Sequence, residues 1–134
     1  MKVLLDTSAV LAFYFGEPGA ERVREILSDP SIAVSSSVLT AGELWSRLRA
    51  EGAEERFDAD WRRFAEIIPD VLAVSLSVVL RANALRRAAT RRLPYVDALI
   101  AATAAQHDAV LVHRDPHFLS ISDEAPSQEA LPAG

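Results

Sequence analysis

The strongest constraint on this chain is a set of four short apolar runs, residues 2–5 (KVLL), 31–34 (SIAV), 70–74 (DVLAV) and 109–113 (AVLVH), each separated from the next by helix-patterned sequence. The first run reads as a buried strand ending at Asp6, after which Thr7 or Ser8 caps a helix carrying Val10, Leu11, Phe13 and Tyr14, ended by Gly16. Pro18 opens a second helix, to about Leu27, with Ala20, Val23, Ile26 and Leu27 at helical spacing, and Asp29-Pro30 turns the chain. After the second run, Ser35 to Ser37 offer caps for a helix that closes at Gly52, and residues 53–68 make another before Pro69; these two are expected to pair antiparallel. After the third run, Ser75 or Ser77 caps an arginine-bearing helix to Arg92, and Pro94 opens an alanine-rich helix to about His107.

The resulting order, β-α-α-β-α-α-β-α-α-β, predicts an α/β fold: a mostly parallel sheet of four or five strands between two helical layers, with right-handed crossovers. A chain of 134 residues is enough for one such domain with its own core. Residues 1–121 are expected to form it, and residues 122–134, which hold two prolines and few large apolar side chains, to form a loose C-terminal tail. The longest apolar run, residues 98–105, is far too short for a bilayer, and no leader pattern precedes the first strand, so a cytoplasmic location is expected with no membrane partner. The chain has no cysteine, which removes disulfides, thiolate metal sites and thiol nucleophiles.

In an open parallel sheet, ligands gather beyond the carboxyl ends of the strands. Asp6 follows the first strand, Asp115 follows the fourth, Asp97 falls in the first turn of the helix opened by Pro94, and Glu43 lies in the helix after the second strand. Taken singly, Asp6, Asp97 and Asp115 are ordinary capping or turn residues, and Glu43 an ordinary partner of Arg47 four residues on. Taken together, they come from four segments that one sheet edge would unite. Carboxylates so crowded need a cation, and oxygen ligands without cysteine favour Mg²⁺, with Mn²⁺ possible. Such a centre activates water and stabilises a phosphodiester leaving group. His113 and His117 flank Asp115, but without a third histidine near by they are read as loop packing rather than a transition-metal site.

The net charge of −5 means that any nucleic acid must be held by local patches. Thirteen of the 14 basic residues are arginine. Arg81, Arg87, Arg91 and Arg92 share one face of the expected helix, which by itself is an ordinary solvated face. Two other functions fit an α/β domain: a binding module that docks a partner without chemistry, and a phosphoryl-accepting receiver using Asp6. The second is disfavoured because no lysine follows a late strand, Lys2 being the only one.

The segments LLDTSAVLAFYFGEPGAERV, ELWSRLRAEG and YVDALIAATAAQHDAVLVHRDPHF resemble, in order and spacing, the PIN-domain ribonucleases, most closely the VapC toxins of bacterial toxin–antitoxin pairs. The resemblance implies a three-layer PIN-like fold with Asp6, Glu43, Asp97 and Asp115 as the catalytic and metal-binding acids, supported by the hydroxyl of Thr7 or Ser8. It also implies Mg²⁺-dependent cleavage of RNA, a homodimer, and inhibition by a VapB-like antitoxin. Candidate RNA contacts are Arg47, Arg81, Arg87 and Arg91. The chain departs from the family at His113, where a small hydroxyl residue is usual, and after Phe118, where the final strand is not evident unless Leu119 to Ser122 supply it.

Overall fold

A computed structural model describes residues 1–132 of the chain. Five strands, β1 (Lys2–Leu5), β2 (Ala33–Ser37), β3 (Val71–Leu72), β4 (Val110–His113) and β5 (Gln128–Ala130), form one sheet in the order β3-β2-β1-β4-β5, parallel throughout. Six α-helices connect them: α1 (Thr7–Tyr14), α2 (Ala20–Ser28), α3 (Leu39–Ala50), α4 (Phe57–Ile67), α5 (Leu76–Ala88) and α6 (Tyr95–Gln106). Single 3₁₀ segments precede α4 (Glu54–Arg56) and follow β4 (Pro116–Ile121).

The two central strands show why the domain has three layers. Strand side chains alternate between faces. Leu4 of β1 and Leu111 of β4 therefore join one core cluster with Val78, Ala82 and Leu85 of α5 and the alanine-rich face of α6. Val3, Leu5 and Val112 point the other way, into a second cluster with Val10, Val23, Ile26 and Phe64. A strand buried on both faces must be apolar at nearly every position, which is what KVLL and VLVH supply. The alanines of α6, with Ala98, Ala101, Ala102 and Ala104 buried, let it lie close against α5 and the sheet.

The chain winds outward from β1 to β2 and β3, then returns across to β4 and β5 on the other side of β1. The winding direction thus switches between β1 and β4, and the crevice that such a switch opens lies at the carboxyl ends of those two strands. Asp6 and Asp115 follow those ends directly or nearly so.

Three expectations are corrected. The tail expected to be loose, residues 122–134, contains β5; only its last two positions, 133 and 134, lie outside the described residues. Strand β5 is held by parallel pairing with β4, by Arg22 of α2 gripping Glu129 through two bonds (2.8 and 3.0 Å), and by buried Leu131 packed where Gly19 has no side chain. These fixings come from sequence-distant partners, and Leu119 to Ser122 form no strand. The second strand runs to Ser37 rather than stopping at Val34, so the serines pair in the sheet; Ser35 Oγ donates to Val3 O. The arginine helix stops at Ala88, which leaves Arg91 and Arg92 in the connection to α6 rather than on one face with Arg81 and Arg87.

Candidate functional site

Asp6 is where the strand becomes a helix. Its backbone N–H still donates to Val112 O at 3.0 Å in the manner of the sheet, while its Oδ1 caps α1 by accepting from Ala9 N at 3.0 Å. Oδ1 also accepts from Ser8 Oγ at 2.6 Å, and Ser8 Oγ accepts in turn from Arg114 N at 2.8 Å. One carboxylate oxygen therefore fixes α1 to the segment after β4, and no hydrogen bond engages Oδ2 among the described residues.

Glu43 reaches the same rim from α3. Thr7 Oγ1 donates to Glu43 Oε1 and lies 3.0 Å from Thr40 Oγ1. A hydroxyl has one proton to give, so Thr40 must be the donor to Thr7, and the chain Thr40–Thr7–Glu43 aims the carboxylate. The partner expected for Glu43 along its own helix is engaged elsewhere: Arg47 bonds Glu51 at 2.7 Å and Glu17 at 3.0 Å, and lies 4.5 Å over the Phe15 ring.

Asp97 enters from the first turn of α6, and Asp115 caps the 3₁₀ turn by accepting from His117 N at 2.9 Å. That turn swings the His117 side chain back so that Nδ1 lies 2.9 Å from Asp115 Oδ1 and 3.5 Å from Asp97 Oδ2. Ligand atoms of Asp97, Asp115 and His117 all lie within 4.8 Å of one another, while Asp6 and Glu43 stand outside this tightest grouping.

The electrostatics nevertheless join all four acids. Burial lifts Asp6 to about 7 against the pull of its Ser8 and Ala9 hydrogen bonds, and the charge of Asp115 adds to the rise. Asp97 is lifted to about 6 by burial, then by Asp115 and Glu43, against the pull of His117. Glu43 is raised by burial, opposed by the Thr7 bond, and raised further by Asp115. No Arg or Lys pairs with Asp6, Glu43, Asp97 or Asp115 among the described residues. Carboxylates that repel one another in a desolvated crevice, one with an oxygen unclaimed, form a donor set suited to a hard divalent cation. His117 adds an imidazole to it.

The structure thus places all four sequence-derived acids at one rim, with both Thr7 and Ser8 in bonds that orient them. The two histidines separate. His113 touches the acids only through the backbone: it is buried, Nδ1 accepts from Asp115 N at 3.2 Å, Nε2 lies 2.9 Å from Gln128 Oε1, its ring packs on Phe118, and burial pushes its pKa down. His117 joins the acids, a place its sequence signals only by standing two residues after Asp115. Of the candidate RNA contacts, Arg47 is committed to its ion pairs, while Arg81, Arg87 and Arg91 are exposed and make no ion pair among the described residues.

A doubly wound parallel α/β domain with an acidic cluster at its topological switch point is therefore the class that fold and site define. The PIN domain model matches residues 3–124, and the chain belongs to the PIN domain family. No curated protein sequence matches it. Among solved structures, it superposes on a chain of VapBC2 from Rickettsia felis, bound to a DNA fragment from their promoter, with a TM-score of 0.77 at 17% identity, covering 98% of this chain and 100% of that one. A chain of DNA-bound VapBC from Salmonella typhimurium gives 0.73 at 25% identity, covering 97% and 98%. Mycobacterium tuberculosis VapC20, a sarcin-ricin loop cleaving toxin, gives 0.70 at 20% identity, covering 97% and 99%.

Proposed function

We propose that this protein is a divalent-metal-dependent endoribonuclease and the toxin of a VapBC-type toxin–antitoxin pair, acting in the cytoplasm as a homodimer. The observation that carries the reading is the convergence of Asp6, Glu43, Asp97 and Asp115 without a neutralising Arg or Lys among the described residues. Asp97, Asp115 and Asp6 Oδ2 would hold Mg²⁺ or Mn²⁺, with Glu43 and His117 completing the set. A bound divalent cation supplies Lewis acidity toward a phosphoryl oxygen and makes water a better nucleophile near neutral pH.

The chain's own groups do the positioning. Ser8 and Ala9 fix Asp6, Thr7 and Thr40 fix Glu43, and the 3₁₀ turn fixes Asp115 and His117 relative to Asp97. Hydrolysis consumes one water: its oxygen bonds phosphorus as the bond to a ribose oxygen breaks, and its proton passes by way of a rim carboxylate to the leaving oxygen. The toxin reading draws support from the VapBC complexes among the structural neighbours. For the dimer, the support is exposed Leu76 and Leu80, one turn apart on α5. No helix among the described residues is long and apolar enough to cross a membrane.

The test is cleavage of single-stranded RNA by the purified chain with Mg²⁺ and with EDTA, beside Asp97→Asn. Metal-dependent cleavage lost in the variant is expected. An equal rate in the variant refutes the site, and metal binding without any cleavage points to a silent binding module.

A further inference from the structure

Next to the acids, and sharing His117 with them, is a cavity of about 250 Å³, walled by Arg91, Arg92, Pro116, His117 and Ser120. Its arginines are two adjacent residues of the α5–α6 connection, both exposed and neither paired with a carboxylate among the described residues. They are not on a loose loop. Just before them, Thr90 donates to Ser120 O from its backbone N at 3.0 Å and its hydroxyl at 3.3 Å; just after them, Leu93 is buried in the core. Ser120 Oγ in turn donates to His117 O at 2.8 Å. The arginine pair and the histidine that touches Asp97 and Asp115 are thus mounted on one bonded frame. His117 turns Nδ1 to the carboxylates, and no hydrogen bond engages its Nε2 among the described residues.

Two unpaired guanidinium groups held beside a group of unneutralised carboxylates invite explanation, because a mutual ion pair would satisfy both and is not made. Resting on the nuclease reading above, we infer that this cavity binds the phosphodiester adjoining the one to be cut in a single-stranded RNA. Arg91 and Arg92 supply forked donors to its oxygens, and His117 stands on the side toward the acids. A chain of −5 net charge needs such a local anchor to bring a polyanion against its acidic rim. An acidic polypeptide suits the place less well, since its charges would meet the rim carboxylates without a phosphodiester's use for the metal centre.

The experiment measures binding of a labelled 20-nucleotide single-stranded RNA of mixed sequence by anisotropy over a salt series. The binding protein is Asp97→Asn, alone and combined with Arg91→Ala/Arg92→Ala or Arg91→Lys/Arg92→Lys. The alanine pair is expected to weaken binding about tenfold and to flatten the slope of log K against log salt by about 0.7 for each phosphate that is no longer neutralised. The lysine pair should retain most of the slope and lose part of the affinity. Mn²⁺ binding by the alanine pair in the otherwise unaltered protein should remain as in wild type, which separates a phosphate anchor from damage to the acidic centre. Unchanged RNA affinity and slope overturn the inference, as does loss of poly-glutamate binding in place of RNA binding. If the wild type fails to cleave RNA with Mg²⁺ or Mn²⁺ yet shows the arginine-dependent slope, the nuclease reading falls, and with it the place beside a scissile bond, while the phosphate contact of Arg91 and Arg92 holds.

Discussion

Helix α1 runs between a group of acids at its start and a single acid, Glu17, past its end, and the two end in opposite states. At its start, Asp6 and its rim neighbours Glu43 and Asp97 are pushed upward in pKa. Just past its end, Glu17 accepts from Arg47 at 3.0 Å and from Arg114 at 3.0 Å, and those two guanidinium groups hold its pKa down. The difference lies in where arginine goes. Arg47 stands one helical turn after Glu43, and Arg114 is the chain neighbour of Asp115. Glu17 thus collects two arginines that stand close in sequence to the rim acids, and the rim is left with no guanidinium to balance it, His117 being the one basic side chain against its carboxylates among the described residues.

The sharpest way to break this contrast is to remove rim charge. Asp97→Asn should lower RNA cleavage by at least about 100-fold while raising the melting temperature of the metal-free protein, because it removes repulsion from the crevice. Initial rates and thermal melts of the same samples measure both effects, and a variant that is less stable without metal would show that the rim is not strained.

Next in size is pH. A carboxyl whose pKa is raised by folding binds its proton more tightly when folded, so its stabilising contribution is complete below the unfolded value and is lost as pH climbs through the folded one. With Asp97 at about 6 and Asp6 at about 7, the metal-free protein should lose melting temperature steadily between about pH 4 and 7. Saturating Mg²⁺ should restore several degrees at about pH 7.5 through linkage, about 2.7 kcal/mol at a hundredfold excess over Kd. A melting temperature that rises over this range, or that ignores Mg²⁺, would contradict the assignment.

A smaller effect is expected from Thr7→Val, which keeps the shape but withdraws the proton given to Glu43: about tenfold weaker Mn²⁺ binding by calorimetry. Smallest is Glu17→Gln. It releases the Arg47 Nη2 arm, with Nε still on Glu51, to make the helix pair with Glu43, worth about 0.2–0.5 kcal/mol, so Mn²⁺ affinity should fall about twofold. An unchanged affinity would mean that Glu17 only ties α3 to the segment after β4.

Much of this is legible in the sequence because much of it is local. Apolar runs bounded by Gly, Pro and capping residues mark β1, β4 and α6, and the strand-helix rhythm leaves few topologies, so the rim that gathers Asp6 and Asp115 follows from chain order alone. What cannot be read there depends on distant partners. The Glu43–Arg47 spacing favours a pair, but Glu17 and Glu51 outcompete it. His117 looks like a loop residue until the 3₁₀ turn carries it to Asp97, twenty positions away in the chain. Ser35 to Ser37 suggest a cap, and Ser37 Oγ does accept from Leu39 N at 3.1 Å at the start of α3, yet sheet pairing also draws β2 through all three. QEA has no strand signature at all; β4 imposes one on it.

That last strand has a consequence in time as well as in space. A growing chain that has emerged as far as residue 127 already contains every rim acid, but β4 has one bare edge, His113 lacks Gln128, and Arg22 lacks Glu129. The sheet closes only when residues 128–131 have followed. During synthesis the acids and their own hydrogen-bond partners, Ser8, Ala9, Thr7, Thr40 and the 3₁₀ turn, therefore precede the edge strand that buttresses β4 beneath Asp115.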